Sequence, residues 1–477
     1  MWINPALAIA SALLLVLLFP PFGFAILAPV ALTPLLVACA RDPSWKRRAF
    51  FGWVAGFIFW TAVCPWIEFV MEVHGGMGAW GGWGTFLLFG LYKGLPLATF
   101  AALAGFFAQR WWAIPAWAAL WTGIERLHAY TGFAWLDLGN AAIAMPLPMR
   151  LAPVTGVYGI SFVFAMLAAG VAAVALQRPR RELAWLVPLV LLPALPRLPL
   201  PREAHHQALV VQPNFDTEME WTPAITELAE QKLALLSKSE PASLLIWPEA
   251  PAPFYPDEPA FRNYIEHIAQ DEQAYFLLGA VGYNAQREPL NSAFMLGPNG
   301  TIQGRYDKMN LVPFGEFIPP LFGWVNRITH EVGDFVPGTR IVDFRVDGHT
   351  AGVFICYESV LPDFVRQFAR SGAEVLINIS NDGYFGRSAA HQQHLLIARM
   401  RAAENRRWLI RSTNDGITAV IDPRGRIVDR MPAFTQMSKL MPFDYVNEQT
   451  PYTKYGDWFA WSCLVIGLAL TAFRIRA

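Results

Sequence analysis

The side chain that first raises a chemical question in this 477-residue chain is Cys356. Three of the four cysteines (Cys39, Cys64 and Cys463) fall in long apolar stretches, so Cys356 stands by itself in the polar part of the chain. An unpaired thiol in an oxidising compartment is either buried and inert or chemically needed. Cys356 closes the apolar run GVFIC, and Tyr357-Glu358-Ser359 follow at once. Strand ends are where α/β sheets present reactive groups, yet position alone leaves nucleophile and core thiol both open. A thiol with an ordinary pKa of ~8.5 also needs a base or cation to become nucleophilic. The polar part carries His205, His206, His267, His330, His349, His391 and His394, none in a Cys–His signature. His391 and His394 form an HxxH pair with no third ligand at metal spacing, so they read as solvated or packing histidines, and no metal or cofactor is expected. Neither a G-x-S-x-G elbow nor a phosphate-cradling glycine loop is present.

Two further segments supply what histidine does not. In LLIWPEAPAPF, apolar Leu244–Trp247 leads directly to Pro248 and Glu249; in RYDKMNLVPFGEFIPP stand Lys308 and Glu316. Taken singly, each reads as a surface carboxylate or a solvated lysine. With a lone cysteine they gain meaning. A carboxylate can take the thiol proton, and an ammonium can steady thiolate and oxyanion without imidazole.

Such a trio needs a scaffold that delivers three strand ends to one place. Apolar strand-like runs recur at Ala208–Gln212, Leu244–Trp247, Phe276–Val281, Ala293–Leu296, Gly352–Cys356, Val375–Ile379 and Thr418–Ile421. Helical patterns alternate with them at 222–238, 258–270, 361–371 and 389–404. Strand-then-helix order predicts an α/β layered fold, and the closely paired central runs predict a mixed sheet.

The first part of the chain has a different composition. Residues 1–200 hold 18 charged side chains, 12 of them basic, whereas acids lead bases 31 to 25 in 201–477. A simple soluble globule, a disordered chain and a nucleic-acid binder with a basic surface are excluded. Apolar stretches near 5–20, 22–39, 49–70, 83–108, 111–125, 152–176, 183–199 and 457–473 predict about eight transmembrane helices. Arg41, Lys46, Arg47, Arg48, Arg110, Arg178, Arg180, Arg181, Arg474 and Arg476 all follow even-numbered spans. The positive-inside bias then puts both termini in the cytoplasm and exports the segment between spans seven and eight. Three domains are expected: a transmembrane bundle over 1–199, an exported domain over 200–456, and a last helix with its tail over 457–477. Glu68, Lys93 and Glu125 lie within or near spans, as helix-packing partners or as a polar path.

Glu249 in WPE, Lys308 in YDKMNLVPFGE and Cys356 in CYE resemble the Glu-Lys-Cys triad of the nitrilase superfamily. With the membrane frame and the stretches NISNDGYFG and HQQHLLIARMRAAENRRWLIRSTNDGITAVIDPRG, nearly the whole chain resembles the bacterial apolipoprotein N-acyltransferases, the membrane-bound branch of that superfamily. The resemblance implies an αββα sandwich for the exported domain. It also implies supporting roles for Trp221, Glu316, Tyr357 and Glu358, with Glu316 and Glu358 orienting Lys308. Tyr384 departs from the Trp expected in many relatives. The implied reaction moves the sn-1 acyl chain of a phospholipid through a Cys356 thioester to the N-terminal amine of a diacylglyceryl-cysteine apolipoprotein. A monomer is expected, in the bacterial inner membrane with the catalytic domain periplasmic; the partners are both substrates and the bilayer, not nucleic acid. Residues 314–324 (FGEFIPPLFGW) read either as a lid entering the lipid interface or as a core loop. The rival readings are a membrane-anchored amidase or hydrolase, and a transporter or lipid-binding scaffold.

Overall fold

A computed structural model describes residues 3–130, 132–199, 203–238, 242–313, 315–317 and 335–476. It divides into two compact units, one of Met1–Glu72, Gly78–Leu198 and Tyr455–Ala477, the other of Val73–Met77 and Pro199–Lys454.

The first unit is helical. Every apolar stretch expected to span contains a helical segment, including Ile3–Leu17, Thr33–Arg41, Trp45–Val63, Gly78–Lys93, Ala113–His128, Ala152–Ala175 and Trp458–Arg476. Among the described residues, Gly78–Phe107 and Pro148–Ala175 are single helices long and apolar enough to cross a bilayer, and Trp45–Val63 with Trp66–His74 makes a third if that pair, bent by 66°, is one span; the other expected spans are shorter or broken helices, so a count of eight is not shown. The stretch near 183–199 is a 3-10 helix, Arg180–Ala194, with Pro188 and Pro193 inside it. Proline removes an N–H donor and clashes with an α-helical turn, which accounts for the tighter form.

Lys93 and Glu125 serve packing here. The segment after Ala113–His128, which runs into the 3-10 helix Leu138–Ala144, is buried over 134–143, and the first N–H groups of that helix have to find partners inside the protein. Lys93 Nζ donates to the Phe133 carbonyl at 2.6 Å and lies 4.9 Å from the Trp60 ring centroid. Glu125 Oε1 accepts the Leu138 N–H at 2.7 Å, and Ser161 Oγ accepts that of Gly139 at 2.8 Å.

The second unit has four layers. Its first sheet comprises β1 (His206–Gln212), β2 (Leu244–Ile246), β3 (Tyr275–Tyr283), β4 (Pro289–Leu296), β5 (Ile302–Asp307) and β12 (Met437–Phe443) in the order β12-β1-β2-β3-β4-β5. The second comprises β6 (Asp343–Val346), β7 (His349–Ile355), β8 (Val375–Ser380), β9 (Trp408–Thr413), β10 (Ala419–Ile421) and β11 (Ile427–Arg430) in the order β11-β10-β9-β8-β7-β6. Both sheets are mixed: β1-β2-β3 and β7-β8-β9 run parallel, and the flanking strands antiparallel. Strand alternation explains the layering. Ala208 and Val210 of β1 point into the core shared with β7, β8 and β9, whereas Leu209 and Val211 join the core under helices Pro223–Ser237 and Pro259–Glu272. Helices Pro362–Ser371 and Ala390–Asn405 supply Phe364, Phe368, Leu395 and Ala398 to the shared core. β2 and β8 are buried along their whole length, the continuous apolar signature of strands covered on both faces.

Candidate active site

β7 ends at Ile355, and Cys356 turns the chain with φ +48° into the 3-10 turn Cys356–Val360. A left-handed residue with a Cβ costs free energy, so the surroundings must impose it. Glu358 does much of that. Fully buried, its carboxylate accepts the Ile355 N–H (2.8 Å) within the turn, then the Tyr306 hydroxyl (2.8 Å) and the N–H groups of Met309 (2.8 Å) and Asn310 (3.0 Å). It thus clamps the cysteine turn to the loop that carries Lys308. Its hydrogen bonds reach the backbone on the C-terminal side of Lys308 and not the ammonium itself.

Lys308 follows β5, and its own N–H is held by the Asn291 carbonyl at 2.8 Å. Its buried ammonium lies between two carboxylates, 3.1 Å from Glu249 Oε1 and 2.8 Å from Glu316 Oε2. Glu249 follows β2. Gly279 on β3 permits its position, since a Cβ there would meet the Glu249 Cα at 2.6 Å. Two more donors fix the Glu249 carboxylate: Asn291 Nδ2 at 2.7 Å and the Asn381 N–H at 2.8 Å. Asn291 also donates to Glu316 Oε1 at 2.6 Å, and Glu316 Oε2 accepts the Val312 N–H at 2.8 Å.

The electrostatics follow from this packing. Burial works against the Lys308 ammonium, but Glu249 and Glu316 outweigh it and hold its pKa well above the usual lysine range. Burial pushes the Cys356 thiol up and Glu249 pushes it further, against the opposing pull of Lys308. The thiol therefore rests protonated, with the Glu249 carboxylate and the Lys308 ammonium both acting on it. That arrangement suits proton removal in concert with attack on an acyl carbon.

Tyr357 is buried beside Cys356. Trp221 is half-buried against Phe215, with ring centroids 6.0 Å apart, and packs on the outer core of the first sheet. Tyr384 packs on His74 with ring centroids 4.5 Å apart. Residues 314 and 318–334 lie outside the described residues, and most of the expected lid over 314–324 falls there, Phe322 included.

Sequence reasoning missed Asn291 and a buried cluster behind the cysteine. Asn291 could have been found as a polar residue in an otherwise apolar strand. His391 and His394 are both buried rather than solvated, and His394 approaches the Cys356 carbonyl. Among the described residues no three His, Cys, Asp or Glu side chains are spaced to hold a metal ion.

Comparison with known proteins adds the following. Residues 11–170 match the family model described as apolipoprotein N-acyltransferase N-terminal domain, and residues 208–439 match that of carbon-nitrogen hydrolase. A protein of Geobacter metallireducens named apolipoprotein N-acyltransferase is 35% identical, with 98% of this chain and 95% of that one covered. Proteins of the same name from Pseudomonas putida (32% identical; 99% and 98% covered) and Vibrio vulnificus (31%; 99% and 97%) also match.

Proposed function

This chain belongs to the apolipoprotein N-acyltransferase family, and we propose that Glu249, Lys308 and Cys356 carry out its acyl transfer. It is an acyltransferase that acts in lipoprotein maturation. The single observation that carries the assignment of residues is the Lys308 ammonium between Glu249 and Glu316 beside the Cys356 turn.

In the first half-reaction Glu249 takes the Cys356 proton as the sulfur attacks the sn-1 ester carbonyl of a phospholipid. Lys308 and the backbone N–H groups of 356–357 hold the oxyanion; losing one such donor typically costs ~10²–10³ in rate. The ester C–O bond breaks, the proton on Glu249 passes to the departing lysophospholipid oxygen, and a thioester remains. In the second half the N-terminal amine of a diacylglyceryl-cysteine apolipoprotein attacks that thioester. Its proton passes through Glu249 to the leaving sulfur, and an amide is released. Thioester to amide is downhill, so no energy-carrying cofactor is needed. Glu316 and Glu358 hold Lys308 and its loop, Tyr357 contributes the neighbouring N–H, and Trp221 assists substrate binding.

The finer topology belongs to the same proposal. Residues 1–199 form the transmembrane bundle with seven crossings, 200–456 the periplasmic catalytic domain, and 457–477 the eighth crossing and cytoplasmic tail; the enzyme is a monomer in the inner membrane. Extracting an acyl chain into water is prohibitive at ~0.8 kcal/mol per CH₂, so a site using two lipid substrates belongs at the bilayer face. The excess of Lys and Arg after even-numbered spans supports this orientation. Neither a hydrolase nor a transporter is favoured by the family match.

The test supplies phospholipid labelled in the sn-1 chain and a diacylglyceryl-cysteine lipopeptide. Label in an amide on the lipopeptide, lost in Cys356→Ser, is the expected result. Label appearing only as free fatty acid would mean that water resolves the acyl-enzyme and that the transfer reading is wrong.

A further inference from the structure

Behind the cysteine turn lies a polar cluster that the reaction above does not use. His394 Nε2 is 3.2 Å from the Cys356 carbonyl oxygen and 2.7 Å from Ser359 Oγ. A carbonyl oxygen only accepts, so Nε2 carries a proton. The other ring nitrogen is bracketed by Arg411 Nη2 at 2.9 Å and Asp382 Oδ1 at 3.1 Å. Arg411 in turn reaches both Asp382 oxygens, at 2.8 and 2.7 Å, and its other arm donates to Asn378. Ser380 Oγ donates to Asp382 at 2.7 Å, and His391 Nδ1 lies 3.7 Å from the same carboxylate. All four principal members, His394, Asp382, Arg411 and Ser359, are completely buried.

A buried charge cluster of this size is costly, and a packed apolar core would be no less stable, so its placement calls for a role. The placement gives one. The Cys356 carbonyl and the Tyr357 N–H belong to one planar peptide, and in a trans peptide they point in opposite directions. A donor gripping the carbonyl from behind therefore sets the direction of the N–H in front.

We propose that His394, oriented by Asp382 and Arg411, is a positioning residue that aims the Cys356–Tyr357 peptide so that its N–H receives the oxyanion. The proposal rests on the thioester mechanism above. It assigns to the cluster a part in acylation that is distinct from thiol activation.

The test compares two reactions of Cys356 in the full-length protein in phospholipid-containing micelles. Acylation by phospholipid requires an oxyanion donor, whereas alkylation by iodoacetamide requires only the sulfur. In His394→Leu, acyl-enzyme formation should slow by ~10²–10³, the loss expected for one misdirected donor, while alkylation and the half-saturating phospholipid concentration stay within about threefold. Should the leucine variant fail to fold, His394→Gln and His394→Asn carry the test. The Gln amide reaches the carbonyl and should restore acylation to within about tenfold, and the shorter Asn should not. Acylation near the wild-type rate in the leucine variant, or equal losses in Gln and Asn, would overturn the proposal. So would acylation and alkylation falling together, which marks a merely structural role. If wild-type protein takes no acyl group on Cys356 at all, the mechanism itself has failed, a result distinct from all of these.

Discussion

At the scale of single residues, the site is a buried balance of two carboxylates against one ammonium. Lys308 is 1% exposed, with Glu249 and Glu316 both within hydrogen-bond reach. Lys308→Met would leave the buried Glu249 and the part-buried Glu316 without their shared cation, and breaking a buried pair in this way costs about 3–5 kcal/mol. Denaturant unfolding should show that loss, and adding Glu249→Gln should recover part of the stability but none of the acylation. The Cys356 thiol, raised by burial and by Glu249, should titrate accordingly. Because its pKa lies above the ordinary thiol value, the thiolate fraction grows with pH over the whole neutral range. Iodoacetamide alkylation without substrate should rise about tenfold per pH unit from roughly 7 to 9. A plateau below that range would mean a preformed thiolate and contradict general-base activation. Glu249 and Cys356 were legible because an apolar run leads into each, whereas Lys308 follows a polar strand and was legible only through the motif YDKMNLVPFGE around it. Asn291 and His394 were not, since what matters is which backbone or carboxylate they meet across the fold, and spacing along the chain does not encode it.

At the scale of elements, three strand ends converge because of close backbone approach and shared clamps. Gly279 brings β3 against the Glu249 backbone, and Glu358 joins the cysteine turn to the Lys308 loop. Gly279→Ala would place a Cβ 2.6 Å from the Glu249 Cα, so Glu249 must shift. A 1 Å misplacement of a catalytic group can cost ~10² in rate. Acylation should fall by about that factor, with iodoacetamide alkylation of Cys356 far less affected; unchanged acylation would show that the β2–β3 approach does not set the base. The buried strands β1, β2, β3, β7 and β8 announce themselves as apolar runs. By contrast, β5, β6 and β11 alternate between burial and exposure and carry no comparable signal. β9 is buried throughout but holds Arg411, whose charge interrupts the apolar pattern; its partner Asp382 lies in the 3-10 turn Asp382–Phe385 after β8, out of sight of local sequence. The span count met a similar limit: apolar composition marks where helices form, whereas Pro188 and Pro193 turn one of them into a 3-10 helix.

At the scale of the whole molecule, the chain divides into a charge-poor first part and an acidic second part, and the proposed topology sets the second outside the membrane. The proposed topology predicts that Leu235, 70% exposed on the second unit, meets the periplasm. A Leu235→Cys variant should be labelled by a membrane-impermeant maleimide once the outer membrane is opened and the inner membrane left intact. Labelling only after inner-membrane lysis would reverse the orientation. The central claim, that Cys356 carries the acyl group between two lipids, is tested most directly by intact and peptide mass spectrometry after incubation with phospholipid alone. The account predicts a mass gain of one fatty acyl chain, mapped to Cys356 and lost on addition of a diacylglyceryl-cysteine lipopeptide. An acyl group on another residue, or the same adduct on Cys356→Ser, would contradict it.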